Sequence, residues 1–134
     1  MPRPMGVKLL IIESDDPFRR NISERLRQES YRVYEACHES EMNRIIQRKD
    51  IDVVLLGLRG LKHRGLSLLK AIKEARPLVE VILLIPSEEV SLSIEGMKLG
   101  AFDDLMLPFN LETLLERIQA ARRRKQEREK AGQA

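Results

Sequence analysis

Cysteine and aromatic residues are scarce in this sequence of 134 residues, which has one cysteine, no tryptophan, two tyrosines and three phenylalanines. The single cysteine, Cys37, excludes a disulfide within the chain and is compatible with a reducing compartment. With so few aromatic rings, the core must consist mainly of Leu, Ile and Val. No apolar run approaches the length of a membrane span, and residues 1–6 contain no apolar segment typical of a signal peptide. We therefore expect a cytoplasmic protein.

Positive charge is concentrated at the end of the sequence. Residues 121–134 contain six Lys or Arg and two Glu, so this segment alone accounts for the net charge of +3, and the rest is close to neutral. Since the segment has no apolar stripe, we interpret it as a solvated helix or a linker. Binding to a nucleic-acid backbone or to an acidic protein is the alternative.

Short apolar runs alternate with helical patterns along the chain. Each run is followed by a segment in which apolar residues recur every three or four positions, as in an amphipathic helix. The predicted strands are residues 7–12, 31–36, 52–56, 79–85 and 105–107. Five such strand–helix units predict one α/β domain with a doubly wound, five-stranded parallel sheet of order 2-1-3-4-5 and five helices, a flavodoxin-like arrangement. We place the domain at residues 7–121, between an N-terminal extension (1–6) and a charged basic helical tail or linker (122–134).

Several residues predict where helices begin and end. Pro17 suits the first turn of the first helix. Ser87 is expected to cap the fourth helix, which runs through Val90, Ile94 and Met97 and ends before Gly100. Asn110 is expected to cap the last helix.

Three segments, in order, resemble the bacterial response-regulator receiver family. Residues 11–16 read Ile-Ile-Glu-Ser-Asp-Asp, similar to the acidic first loop of that family. Residues 52–58, followed by Gly65, resemble its acceptor strand and loop. Residues 100–109 resemble its Gly-Ala stretch and its Lys-Pro-Phe turn, which implies a cis peptide bond between Leu107 and Pro108. The resemblance covers roughly residues 7–121.

The resemblance implies a phosphorylation site, but the residues that perform the chemistry are missing. In the family, an aspartate on the third strand is the nucleophile, a hydroxyl after the fourth strand binds the phosphoryl group, and a lysine after the fifth balances its charge. These positions fall on Gly57, Ile85 and Leu107. We expect an apolar pocket, partly filled by its own side chains, that does not accept a phosphoryl group.

The family's acidic pair, which holds Mg²⁺, falls on Glu13 and Ser14, so one of its two carboxylates is lost. Glu13 and Asp15 are weak candidates for residual metal binding, and we expect neither Mg²⁺ nor another cofactor. The family's switch aromatic falls on Asp104. The degenerate positions of the receiver site are therefore Glu13, Ser14, Gly57, Ile85, Asp104 and Leu107.

The resemblance and these losses together predict a non-enzymatic signalling module of a two-component phosphorelay that acts through protein–protein contacts. In the family, the fourth helix, fifth strand and fifth helix form the output face. Here that face comprises Glu88, Glu95, Lys98, Asp104, Met106, Glu116 and Arg117. A mixed-charge surface of this kind suits either self-association or a protein partner.

Three other functions compete with this prediction. The chain could be a working phospho-acceptor with an atypical site, or a regulatory domain excised from a DNA-binding or effector protein. A flavodoxin-like cofactor binder is disfavoured, because Gly57, Gly60 and Gly65 do not form a phosphate-binding loop and no aromatic pair could enclose a flavin.

His38 and His63 lack partners at ligand spacing in the sequence, so we interpret both as surface residues. Cys37 is interpreted as a half-buried structural thiol, since the sequence suggests no group that would activate it.

Overall fold

Five parallel strands form one sheet, as predicted. The structure is a computed structural model that describes residues 6–61 and 63–133; most of the N-terminal extension, residues 1–5, lies outside them. The strands are β1 (Lys8–Ile12), β2 (Arg32–Ala36), β3 (Val53–Gly57), β4 (Glu80–Pro86) and β5 (Asp103–Leu107). Their order is β2-β1-β3-β4-β5, which confirms the predicted topology.

Five α-helices cover both faces of this sheet. They are α1 (Asp16–Gln28), α2 (Glu39–Arg48), α3 (His63–Ala75), α4 (Ser91–Lys98) and α5 (Leu111–Gln133). One apolar layer packs α1 and α5 against the sheet, with Leu26 and Ile118 fully buried. The other layer packs α2, α3 and α4, with Met42 and Leu69 at its centre. Because both faces are covered, β3 and β4 are buried along their whole length, which explains why their residues are apolar apart from Glu80 at the start of β4.

Most of the predicted helix ends are confirmed. Asp15 Oδ1 accepts a hydrogen bond from Phe18 N at 3.1 Å at the start of α1, where Pro17 occupies the first turn. Asn110 Oδ1 accepts one from Thr113 N at 2.8 Å at the start of α5. Gly100 follows the end of α4 with φ +102°, a conformation that side chains with a Cβ rarely adopt.

The predicted capping role of Ser87 is wrong. Residues Ser87–Glu89 form a 3₁₀ turn, and α4 begins only at Ser91. Val90, which precedes Ser91, already has helical backbone angles, so this end has no extended residue whose side chain could cap it. The Ser87 hydroxyl instead donates to Glu88.

Residues 122–133 continue helix α5, and one face of this extension contacts the amino end of the sheet. Lys125 is only 5% exposed, and its Nζ lies 3.0 Å from Asp52 Oδ1, just before β3. The other oxygen of Asp52 accepts from the backbone N of Lys8 at 2.9 Å. The expectation of a solvated tail is therefore wrong for Lys125, which is held by an acid 73 positions earlier in the sequence.

A second ion cluster lies beside it, around Glu80 at the start of β4. The Glu80 carboxylate is buried and forms three salt bridges. Its oxygens lie 3.1 Å from a nitrogen of Arg124 and 3.3 Å from a nitrogen of Arg128, both on the extension, and 3.4 Å from Lys73 Nζ of α3. A buried carboxylate without cations would be strongly destabilised, so Glu80 requires these partners. The two acids thus bind the charged extension to the domain.

Among the helices of residues 6–61 and 63–133, none has the length and apolar character needed to span a membrane.

We predict that Lys125→Ala lowers the free energy of unfolding by about 1.5–3 kcal/mol, because Asp52 then loses a charged hydrogen-bond donor in a largely buried position. Urea denaturation measures the change. Lys130→Ala, an exposed lysine of the same helix, is the matched control and should change stability by less than about 0.5 kcal/mol. Equal effects of both substitutions would show that the extension does not pack on the sheet.

Candidate functional site

Glu13 and Gly57 meet at the carboxyl end of the sheet, where parallel α/β sheets bind ligands. Glu13 directly follows β1, and Gly57 is the last residue of β3. These two strands are neighbours, with Ile12 in register with Leu56, so the next residue of each strand lies side by side. The sheet order therefore places a glutamate beside the position at which receivers carry the acceptor aspartate.

The Glu13 carboxylate points into the protein and is only 1% exposed. Its Oε2 accepts a hydrogen bond from Asp15 N at 2.7 Å, and its backbone O accepts one from the guanidinium of Arg19 at 2.8 Å. Its backbone N donates to Ala36 O at 3.1 Å. Three contacts thus hold Glu13 in place, although Oε1 has no hydrogen-bond partner among the described residues.

The unpartnered Oε1 occupies the space that a side chain at position 57 would need. A Cβ added to Gly57 would overlap with Glu13 Oε1 and would lie 3.0 Å from Glu13 Cδ. A side chain at position 57 would therefore force the Glu13 carboxylate to move, whereas the backbone angles at Gly57 would tolerate one. The large side chain of the glutamate at position 13 and the missing side chain of the glycine at position 57 are thus complementary in size.

Burial raises the pKa of the Glu13 carboxyl above its ordinary value, and the nearby Arg59 guanidinium opposes this only in part. The ionised form loses hydration that its backbone hydrogen bonds and the Arg59 guanidinium do not fully replace. A phosphoryl group beside the ionised carboxylate would add a second negative charge to this poorly compensated position.

Side chains from three loops contact one another around this position. Arg59, in the loop after β3, lies 3.3 Å from Asp15 Oδ2, and its guanidinium carbon is 5.8 Å from the centre of the Phe18 ring. Phe18 in turn packs edge-on against Phe109, with ring centres 6.3 Å apart. These contacts join the loops after β1, β3 and β5.

The weak metal candidates, Glu13 and Asp15, are committed to other contacts. Asp15 uses one oxygen to cap α1 and the other to bind Arg59. Ser14 is exposed. Within residues 6–61 and 63–133, Glu13 and Asp15 do not come together with a third ligating side chain.

The remaining degenerate positions do not line one pocket. Ile85 is fully buried in the layer under α2, α3 and α4, whereas Leu107 packs in the layer under α1 and α5. Neighbouring residues of a strand point to opposite faces, and β4 and β5 pair Ile85 with Met106, not with Leu107. The expected apolar filling of the acceptor pocket is therefore wrong, since the side chain beside Gly57 is a carboxylate. The peptide bond between Leu107 and Pro108 is cis, as predicted.

Asp104, at the position of the switch aromatic, is tied to α4. Its Oδ2 accepts a hydrogen bond from the hydroxyl of Ser93. Next to it, Asp103 binds Arg117 of α5 at 2.7 Å. Polar contacts thus link the start of β5 to both helices that flank it. A mobile aromatic ring at position 104 would instead need free space here.

The predicted output face is more apolar than the sequence suggested. Val90, Ile94 and Met97, the apolar residues that the sequence places along the fourth helix, are 50%, 62% and 44% exposed. The residues of α4 that are buried are Leu92 and Gly96, and Gly96 lets the helix lie against Leu83. Met106 of β5 is also exposed and adds to this surface. Of the predicted face residues, Arg117 is paired with Asp103, and Glu95 lies 3.7 Å from His63.

The interpretation of Cys37 as half-buried is wrong, since Cys37 is exposed. His38 is a surface residue, as predicted, but it has a partner that the sequence spacing did not suggest. The connection between β2 and α2 brings both Cys37 and His38 close to Glu41. The hydrogen bond to Glu41 raises the pKa of the Cys37 thiol.

The chain is similar to response regulators along most of its length. A family model described as the response regulator receiver domain matches residues 9–119. A response regulator receiver domain protein from Clostridium thermocellum is 30% identical and superposes with a TM-score of 0.83, covering 90% of this chain and 97% of that chain.

Longer proteins are similar over part of their length. The NtrX-like response regulator of Rickettsia typhi is 28% identical over 109 residues, which are 80% of this chain and 23% of the relative. NtrX from Brucella abortus, solved in complex with ADP, has a TM-score of 0.88 at 19% identity, covering 96% of this chain and 29% of that chain, and this likeness concerns the fold alone. The chain thus spans about a quarter of the length of the curated relatives that it matches.

We predict that Gly57→Ala lowers the free energy of unfolding by about 1–3 kcal/mol, because the methyl group must displace the Glu13 carboxylate. In the Glu13→Ala background the same change should cost about 0.5–3 kcal/mol less, a coupling that a double-mutant cycle by urea denaturation measures. Gly132→Ala, at a helical glycine with nothing within 4 Å of an added Cβ, is the matched control and should not destabilise the protein. Additive effects at positions 13 and 57 would contradict this account of the site.

Proposed function

The chain belongs to the response regulator receiver domain family, and on this premise we propose that it is a receiver that is not phosphorylated and that acts through protein contacts. Receivers are the signalling modules of two-component systems. The finer proposal concerns what this receiver does without the usual chemistry.

The observation that carries the proposal is the Glu13 carboxylate packed against Gly57. A phosphorylatable receiver needs a carboxylate nucleophile at position 57, with open space in front of it for the phospho-donor. Here the position has no side chain, and the space is filled by a buried acid from the neighbouring strand. A phosphoryl group placed there would meet a carboxylate whose nearest hydrogen-bonding partner is a single backbone N–H.

Charge compensation also fails at this site. Phosphoryl transfer requires cations that neutralise the oxygens of the transferred group, usually a metal ion and a lysine or arginine. The lysine position is Leu107, and Asp15 is held by the α1 cap and by Arg59. Arg59, whose charge acts on the Glu13 carboxyl, is already paired with Asp15. Each of these features independently disfavours phosphorylation.

We predict that the intact protein gains no phosphoryl group when it is incubated with a small acyl-phosphate donor and Mg²⁺. Intact-mass spectrometry measures the product, and a phosphorylatable receiver treated in parallel verifies the donor. Gly57→Asp should also remain unlabelled, because the new carboxylate competes with Glu13 for the same space and finds no lysine. Stoichiometric, hydroxylamine-sensitive labelling of the wild-type chain would refute the proposal.

The surface that we propose as the working part is the α4–β5 face, defined by Val90, Ile94, Met97 and Met106. Val90, just before α4, and Ile94 and Met97 within it are spaced so that they lie along one side of the helix, and all three are between 44% and 62% exposed. Contiguous exposed apolar side chains with a charged border are typical of protein contact sites. Lys98, Glu95 and the Asp103–Arg117 pair supply that border.

We propose self-association as the contact made by this face, since apolar stripes flanked by charges of both signs can pair with a second copy about a two-fold axis. A different protein of the pathway is the alternative occupant. The cytoplasmic location, and a role as the regulatory part of a longer protein, stay predictions.

We predict that Ile94→Lys weakens self-association by at least about tenfold, which corresponds to about 1.4 kcal/mol, because it places a charge in the centre of the apolar face. Sedimentation equilibrium measures the constant. Leu78→Lys changes another exposed large apolar residue, outside this face, and is the matched control. If the wild-type protein is monomeric at all accessible concentrations, or if Leu78→Lys has the larger effect, the α4–β5 face is not the site of self-association.

A further inference from the structure

Three side chains of different chemistry converge where β2 leads into α2, away from the acceptor position. Cys37 and His38 form the connection, and Glu41 lies in the first turn of α2. Cys37 Sγ is 3.1 Å from Glu41 Oε1, and His38 Nε2 is 3.2 Å from the same oxygen. One sulfur, one nitrogen and one oxygen atom thus lie within 4.8 Å of one another.

The local backbone holds this arrangement. His38 precedes α2 with an extended conformation, φ −151° and ψ 171°, which turns its side chain and that of Cys37 towards the first helical turn. The backbone N of Cys37 donates to Glu41 Oε1 at 3.2 Å. The second ring nitrogen of His38, Nδ1, lies 2.9 Å from Ser40 Oγ. A hydrogen bond to Nδ1 orients the ring and leaves Nε2 directed at Glu41, as is usual for histidines that bind metals.

Two of the three separations are close to those of a tetrahedral metal centre, and the third, between Cys37 Sγ and the His38 nitrogen, lies within 4.8 Å. Zn²⁺ binds thiolate sulfur at about 2.3 Å and imidazole nitrogen or carboxylate oxygen at about 2.0–2.2 Å, so tetrahedral ligand atoms lie about 3.3–3.8 Å apart. The separations of 3.1 and 3.2 Å found here need to grow by only a few tenths of an ångström. Because Cys37 and His38 are exposed, their side chains can make this adjustment without disturbing the core.

We propose that Cys37, His38 and Glu41 form a Zn²⁺ site with three protein ligands and a fourth position open to water. A sulfur–nitrogen–oxygen donor set suits this borderline ion, whereas Mg²⁺ prefers oxygen ligands alone. The nearest charged residues of α1, Asp16 and Arg19, are paired with each other at 2.7 Å and therefore add little net charge. The site is independent of the missing phosphorylation chemistry.

Titration of the metal-free full-length chain with Zn²⁺ in competition with a chromogenic chelator tests the proposal, and Co²⁺ supplies a spectroscopic probe. One equivalent of Zn²⁺ should bind, and Co²⁺ should give a thiolate charge-transfer band that Cys37→Ser abolishes. His38→Gln and Glu41→Gln should each weaken Zn²⁺ binding by at least about tenfold.

Two matched controls separate this site from general surface binding. Glu39→Gln changes the other glutamate in the first turn of α2, and His63→Gln changes the other histidine of the chain. Neither should alter Zn²⁺ affinity. Thermal unfolding without metal verifies that the variants are folded; if Glu41→Gln is not, Cys37→Ser and His38→Gln decide. The proposal is overturned if no equivalent of Zn²⁺ binds, if Cys37→Ser binds as tightly as the wild type, or if His63→Gln loses as much affinity as His38→Gln.

Discussion

The close packing of the Glu13 carboxylate against Gly57 is the constraint on which the rest of the site depends. In a parallel sheet, the ends of two neighbouring strands lie side by side, so a side chain at position 13 can occupy space beside position 57. Here the Glu13 carboxylate lies where a Cβ at position 57 would stand, so any larger residue there requires this carboxylate to move. On our proposal, an aspartate restored at position 57 alone therefore does not restore the acceptor.

Charged residues at the opposite end of the sheet hold α5 in place. Asp52 and Glu80 stand at the starts of β3 and β4, where they meet cations from residues 124–128. Buried ion pairs of this kind contribute little net stability compared with apolar contacts, but they fix one geometry, because any other leaves a buried charge unpaired. The direction in which α5 extends beyond the domain is thus determined by the sheet and not by the helix alone.

Polar contacts explain how the domain can hold its contact face in one arrangement. A hydrogen bond from Ser93 to Asp104 and an ion pair between Asp103 and Arg117 join α4, β5 and α5 at the start of β5. The Lys125–Asp52 pair, just before β3, holds the extension of α5. These contacts stabilise one arrangement of the α4–β5 face. A receiver that switches needs two arrangements of similar free energy, and the polar contacts found here favour one.

The sequence by itself determined the fold, its strand order and most helix ends, because these follow from local apolar periodicity and from the residue types in short motifs. Only the tertiary structure decided which carboxylate fills the place beside Gly57, that Lys125 is buried against Asp52, and that Val90, Ile94 and Met97 face outwards. The tertiary structure also decided that Cys37, His38 and Glu41 lie close together. Each depends on which side chains the packing brings together and on which side of a short helix faces the sheet. A helix of eight residues such as α4 carries too few apolar positions for its period to identify the buried side.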